Sequence, residues 1–191
     1  YPARKMTAIG VTGTKGKTTT TYMIKAILEA AGQKTGLIGT NGAVIGENHY
    51  PTKNTTPESY ILQEYFAKMV EAGCRYIVME VSSQSYLMHR VDGLFFDYGI
   101  FLNISNDHIG PNEHASFEEY LYYKKQLLKN CRTALVNRDD PHFDAIVEGA
   151  TAEILTFSLE QAADFTADDI HYVREHDFVG VEFQTHGRYE H

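Results

Sequence analysis

The sequence predicts an α/β fold: a doubly wound, mostly parallel sheet carrying a phosphate-binding loop, followed by a small antiparallel β appendage. Three observations predict it. Apolar runs of strand length alternate with amphipathic runs of helix length from residue 6 to about residue 150. Two of the apolar runs, Arg75–Val81 and Tyr98–Ile104, are continuous, as in strands covered on both faces. The glycine-rich stretch Val11–Thr21, VTGTKGKTTTT, joins the first apolar run to the first amphipathic one.

In order, Met6–Val11 reads as a buried strand and Thr18–Ala31 as an amphipathic helix, with Met23, Ile24, Ile27 and Leu28 at helical spacing. Gly32 suits the position just past its end. Lys34–Thr40 is the next strand, and Asn41–Tyr50, with Gly42 and Gly46, an irregular hairpin. Thr56 as N-cap and Pro57 at the first helical position open a helix to about Ala72, with Tyr60, Ile61, Tyr65, Met69 and Val70 turned inward. Arg75–Val81 is a buried strand ending at Glu80. Ser82–Arg90 is a loop with a short helix, and Tyr98–Ile104 another buried strand. Ser116-x-x-Glu119 is a capping box that opens a helix to about Asn130. Thr133–Asn137 is a strand and Pro141–Val147 a short helix. From Ala152 the rhythm changes: Glu153–Ser158, His171–Arg174 and Phe178–Gln184 read as short antiparallel strands. The expected division is a core of residues 1–150 and an appendage of residues 151–191.

The glycine-rich stretch has the chemistry of a phosphate loop. Gly13 and Gly16 let the backbone approach an anion without a Cβ in the way. The helix that follows offers free N–H groups and the positive end of its dipole. Lys17 reaches toward β/γ-phosphates, and the Thr18 hydroxyl suits Mg²⁺. The usual pattern has glycine five residues before Gly16; Val11 stands there, with Gly10 and Gly13 on either side.

Composition narrows the partners. The chain is ordinarily globular, 43% hydrophobic and 22% charged, so disorder is not expected. A net charge of -8 with no basic tract argues against nucleic acid. No apolar run is long enough to span a bilayer and no signal peptide leads the chain, so a cytoplasmic location away from membranes is expected. Cys74 and Cys131 match no metal-ligand spacing and no disulfide framework, and read as reduced thiols. The opening Tyr1-Pro2-Ala3 without Met suggests a piece of a longer chain.

Ligands of open α/β sheets sit beyond the carboxyl ends of the strands. Glu80 ends a strand there and is placed to hold a nucleotide-bound cation; the plainer reading is a charged residue at a strand exit. Asp107-His108 is either a ligating pair or a turn. Lys124 falls near the middle of the apolar stripe Phe117, Tyr120, Leu121, Leu127, Leu128, whereas Lys125 falls toward its edge. It either snorkels to water or stands in an active-site cleft. Thr55-Thr56-Pro57 is a helix start or a pair of hydroxyls beside a second anionic substrate. Arg90 is a surface arginine or an anion ligand.

Together these residues resemble the central ATP-binding domain of the Mur ligases. The marks are Gly13-Thr14-Lys15-Gly16-Lys17-Thr18-Thr19, Asn54-Thr55-Thr56-Pro57, Met79-Glu80-Val81-Ser82-Ser83, Asn103-x-x-x-Asp107-His108 and the lysine helix. Thr-Thr-Pro with Glu-Val-Ser-Ser is similar to members that add the third amino acid of the peptidoglycan stem peptide. The resemblance implies that residues 13–19 bind ATP phosphates, with Lys17 offsetting charge on the transferring group. It implies that Thr18 and Glu80 hold one Mg²⁺, and that His108 serves a second with a carbamylated Lys124. Asn54, Thr55, Thr56, Ser82 and Arg90 then contact a UDP-N-acetylmuramoyl-dipeptide. The implied reaction is acyl-phosphate formation followed by attack of an amino acid's amine, in a monomeric cytoplasmic enzyme. Lysine is favoured over meso-diaminopimelate, on the longer Gly110–His114 loop. Met88 stands where the family often has Gln, and the longer loop leaves Lys125 as the alternative to Lys124. The flanking UDP-binding and amino-acid-binding domains are not in these 191 residues, so the fragment alone is expected to be inactive. The rivals are a folylpolyglutamate-synthase-like ligase and an ATP-binding module without turnover.

Overall fold

The computed structural model describes residues 1–107, 109–111, 113–175 and 178–187. Among them ten strands form one sheet in the order β10-β9-β8-β7-β6-β1-β5-β2-β3-β4. β1 (Thr7–Thr12) lies at its centre, in parallel register with β5 (Tyr76–Glu80) on one side and β6 (Phe96–Phe101) on the other. β2 (Thr35–Gly39) extends the parallel part beyond β5, and β7 (Cys131–Asn137) extends it beyond β6. β3 (Gly42–Ile45) and β4 (Asn48–Tyr50) close one edge as an antiparallel hairpin.

The side chains of β1 and β5 alternate between two cores, as the period of a strand requires. Ile9, Val11 and Val78 face α1 (Lys17–Ala30) through Ile24 and Leu28. Ala8, Ile77 and Met79 face the larger core on the other side. That core takes in Leu62, Phe66 and Met69 of α2 (Ser59–Glu71), Tyr120 of α4 (Phe117–Lys124), and Leu127 and Leu128 of the 3-10 turn after it. A short helix, α3 (Ser83–Leu87), follows β5.

Three expectations need correction. α2 begins at Ser59, and Glu58 at its cap makes no side-chain capping bond. The Thr56 hydroxyl is committed elsewhere, so the helix starts later, and Tyr60 is exposed while Leu62 and Phe66 are buried. The helix from Ser116 stays α-helical only to Lys124 and tightens into 3-10 geometry over Lys125–Lys129. The third concerns the appendage. β8 (Glu153–Ser158) pairs in parallel with β7, and β9 (Phe165–Glu175) pairs in parallel with β8, so the sheet runs on without a break past residue 150. Only β10 (Phe178–Gly187) returns antiparallel, against β9. α5 (Phe143–Val147) completes the connection from β7 to β8. No helix among the described residues is long and apolar enough to cross a membrane.

Candidate active site

The carboxyl ends of β1, β5 and β6 meet at the centre of the sheet, and the loops that leave them build the site. The loop from β1 turns at Gly16, whose φ of 86° is left-handed and suits glycine. α1 then begins at Lys17 with no side-chain cap, so its first N–H groups stay open toward the loop. The Lys17 ammonium folds back to donate to Gly13 O at 2.8 Å and Thr14 O at 3.2 Å. Burial lowers its pKa, against the opposing pull of Glu80.

Asn103 splints this loop from the end of β6. Its carbonyl oxygen accepts from Thr14 N at 3.0 Å, and its side chain exchanges hydrogen bonds with Lys15 N and Lys15 O. The Thr14 hydroxyl is shared between Ser105 N and Tyr120 Oη, at 3.0 and 3.1 Å. Lys15 turns outward to Asp107, 2.9 Å away, and Thr19 is exposed on the first turn of α1.

Glu80 sits opposite Val11 in the ladder and is buried. Its Oε1 accepts from the Thr18 hydroxyl and from Thr40 N, both at 2.9 Å, and its Oε2 accepts from the Thr40 hydroxyl. Gly39 makes room for it: a Cβ there would run into the Glu80 carboxylate. Two oxygen donors side by side at the end of a phosphate loop fit Mg²⁺. That ion takes one or two protein oxygens and fills its shell with phosphate and water. Among the described residues no three His, Cys, Asp or Glu side chains cluster as a metal cage. His108 lies outside the described residues.

Facing the loop is a cavity of about 430 Å³, lined among others by Lys17, Thr55, Ser82, Ser83, Arg90 and Lys124. A larger hollow of about 670 Å³ opens at the opposite ends of the strands among Arg4, Arg75, Asp97 and Arg132, and holds none of the motif residues. Lys124 is 2% exposed, with Nζ 3.1 Å from Gly13 O and 4.6 Å from the centre of the Tyr120 ring. Burial holds its pKa well below the ordinary lysine range; neighbouring Lys17 adds to this and Asp107 opposes it. Lys125 points away, to Ala145 O and Glu148.

The residues expected to meet a second substrate divide. Asn54, Thr55, Ser82 and Arg90 line the cavity. Arg90 Nε lies 2.9 Å from Glu58 Oε1, and Asn54 donates to the same carboxylate. Thr56 is fully buried behind this wall, where its hydroxyl donates to Glu80 O and accepts from Ser82 N. It holds the loop after β5 in place. The end of α3 aims Arg90 through a Schellman turn. His89 N bonds Tyr86 O, Arg90 N bonds Ser85 O, and His89 takes a φ of 55°.

Several supporting residues carried no motif. Asp140 accepts from Ile104 N at 2.7 Å and so fixes the segment next to Asn103. Gly39 at the end of β2 and Thr40 just after it shape the Glu80 pocket, and Tyr120 and His114 back the cavity. Only a one-turn offset could have found any of them: Tyr120 precedes Lys124 by four residues on α4.

The fold and this loop define a doubly wound α/β domain of the P-loop class. The chain belongs to the Mur ligases: the model of the Mur ligase middle domain matches residues 11–190. The chain is 44% identical over 184 residues to the UDP-N-acetylmuramoyl-L-alanyl-D-glutamate--2,6-diaminopimelate ligase of Caldanaerobacter subterraneus subsp. tengcongensis. That match covers 96% of this chain and 37% of the relative. The corresponding L-lysine ligase of Streptococcus pneumoniae serotype 2 (strain D39) is 40% identical over 182 residues, covering 95% of this chain and 34% of the relative. A solved diaminopimelate ligase of the same name superposes with a TM-score of 0.84 at 29% identity, over 96% of this chain and 37% of that one. The chain thus spans about a third of the length of these relatives.

Proposed function

We propose that this chain is the nucleotide-binding middle part of an ATP-dependent amide ligase. The intact protein joins L-lysine or meso-diaminopimelate to UDP-N-acetylmuramoyl-L-alanyl-D-glutamate. The observation that carries the reading is the single cavity in which Lys17, Lys124, Ser82 and Arg90 meet. A phosphate loop forms one wall, and a hydroxyl- and arginine-bearing wall faces it. The names of the relatives agree, and both are muramoyl ligases rather than folate ligases.

ATP lies with its phosphates over residues 13–19, held by the open N–H groups of α1. Lys17 exchanges Gly13 O for phosphate oxygens. Thr18 and Glu80 hold Mg²⁺, which supplies charge neutralisation on the phosphates. Arg90 and Ser82 orient the dipeptide so that its carboxylate oxygen attacks the γ-phosphorus and ADP leaves. The amine of the incoming amino acid then attacks the acyl carbon and inorganic phosphate leaves, giving an amide. Lys124 is chemically suited to modification: burial disfavours the charged form of its amine, and an uncharged amine that adds CO₂ and loses a proton becomes a carbamate, an anion beside the phosphate loop.

The test is phosphate release by the intact protein with ATP, Mg²⁺ and the muramoyl dipeptide, adding lysine or diaminopimelate in turn. Release that needs the dipeptide and one amino acid is the expected result, and which amino acid it needs sets the specificity. ATP binding without such release would refute the ligase reading.

A further inference from the structure

We infer that His114 is a positioning residue that fixes the spacing between the two walls of the cavity; the inference rests on the ligase reading above. His114 is fully buried, on the segment that leads into α4. That segment folds tightly around it: Gly110 N bonds His114 O, Glu113 N bonds Gly110 O, and Ile109 bridges to His114. The imidazole therefore points inward from a fixed backbone. Its Nε2 lies 2.8 Å from Ser83 Oγ, on the wall that carries Ser82 and Arg90. Its ring packs on Tyr120 and Tyr123, with centroids 5.3 and 5.8 Å apart. Tyr120 in turn touches the Thr14 hydroxyl of the phosphate loop and lies under the Lys124 Nζ.

One side chain thus ties α3 to α4 behind the cavity. α3 is five residues long, too short to hold its place by its own backbone bonds. Its position against the phosphate loop must come from tertiary contacts, and the hydrogen bond to His114 is a buried polar one. Phosphoryl transfer needs the attacking carboxylate within about 3–3.5 Å of the phosphorus, and a misplacement of about 1 Å costs about 10²-fold in rate. His114 is not among the residues that line the cavity. It sets where Ser82, Ser83 and Arg90 stand relative to Lys17 and Lys124.

The experiment uses the intact protein and the variants His114→Phe, Ser83→Ala, the double variant, and His114→Gln. Phenylalanine keeps the ring packing and removes the bond; glutamine restores a polar partner for Ser83. We expect His114→Phe and Ser83→Ala each to lower kcat by about 10–100-fold and to raise KM for the muramoyl dipeptide, with ADP affinity unchanged within about twofold. The double variant should be no worse than the worse single one, because both remove the same bond. Glutamine should recover most of the loss. Amide hydrogen exchange gives a readout that needs no turnover: protection over residues 82–90 should fall in His114→Phe while protection over residues 12–18 is kept. Unchanged kinetics with unchanged exchange over 82–90 would overturn the inference, as would losses that simply follow the folded fraction. A wild-type protein that makes no amide, with His114→Phe still losing protection over residues 82–90 relative to it, would strike the ligase reading and leave the His114 link standing.

Discussion

The wall that carries Lys17 and the wall that faces it are built in contrasting ways. The first is one stretch of chain between β1 and α1, whose functional groups are backbone N–H groups and two adjacent side chains, Lys17 and Thr18. The second is assembled from residues near 54–58, 82–90 and 113–124, joined by hydrogen bonds between segments far apart in sequence. The local wall takes its shape from a turn and a helix start, with Asn103, Tyr120 and Lys124 bracing it from outside. An assembled wall depends on every tie. Thr56 to Glu80 O and Ser82 N, and His114 to Ser83, are such ties.

The largest expected effect comes from Lys124, which touches both walls. Lys124→Met should abolish amide formation in the intact protein, by about 10³-fold or more if a charged group is lost from the transferring site. It should also raise the melting temperature near neutral pH, since it removes an amine that burial disfavours in its charged form. The sign with pH follows. The folded-state pKa is below that of the unfolded chain, so between the two the unfolded state binds the extra proton and stability rises with pH. The stability gap between wild type and Lys124→Met should therefore narrow as pH rises toward 10.5, measured by thermal melts in CO₂-free buffer. A gap that widens would show the amine to be stabilised as a cation.

Gly39→Ala sharpens the comparison from the other side. The new Cβ must displace the Glu80 carboxylate from Thr18. Overpacking of this kind costs about 1–3 kcal/mol. Turnover should fall and the Mg²⁺ concentration for half-maximal rate should rise, read from a Mg²⁺ titration of phosphate release. An unchanged titration would remove Glu80 from the cation site.

Thr56→Val tests whether the facing wall depends on its ties. Loss of the buried hydroxyl leaves Glu80 O and Ser82 N each short of a partner, at a cost of about 1–3 kcal/mol. KM for the muramoyl dipeptide should rise more than KM for ATP in steady-state assays. Equal changes in both would mean the two walls are not separable.

The smallest effect is expected at His89. Its left-handed φ in the Schellman turn favours glycine, so His89→Gly should stabilise the chain by about 0.5–1 kcal/mol in a denaturant melt, with Arg90 still aimed at the cavity. A loss of stability would mean that the exposed His89–Asp92 pair matters more than the turn.

The contrast also explains what could be read from the sequence. The phosphate loop, the central strands and the strand-end position of Glu80 were legible, because each is encoded within a few residues by glycine spacing or apolar runs. The inward Lys124 was legible as an anomaly on an apolar stripe. Thr56 was not: as the residue before a proline it looks like a cap, and only the fold reveals Glu80 O and Ser82 N beside it. Gly39, His114 and Asp140 were silent because their partners are 41, 31 and 36 residues away. The parallel pairing of β8 was equally hidden. Its alternation shows a strand, and strand direction is set by the crossover through α5 rather than by the residues of the strand.

In the proposed reaction a carboxylate on one wall attacks a phosphoryl group on the other. The direct test is isotope transfer in the intact protein, with ATP, Mg²⁺, the matching amino acid and a muramoyl dipeptide whose reacting carboxylate carries ¹⁸O at both oxygens. Attack through that carboxylate predicts one ¹⁸O in each inorganic phosphate released. Release of unlabelled phosphate alongside amide formation would contradict an acyl-phosphate and with it the meeting of the two walls.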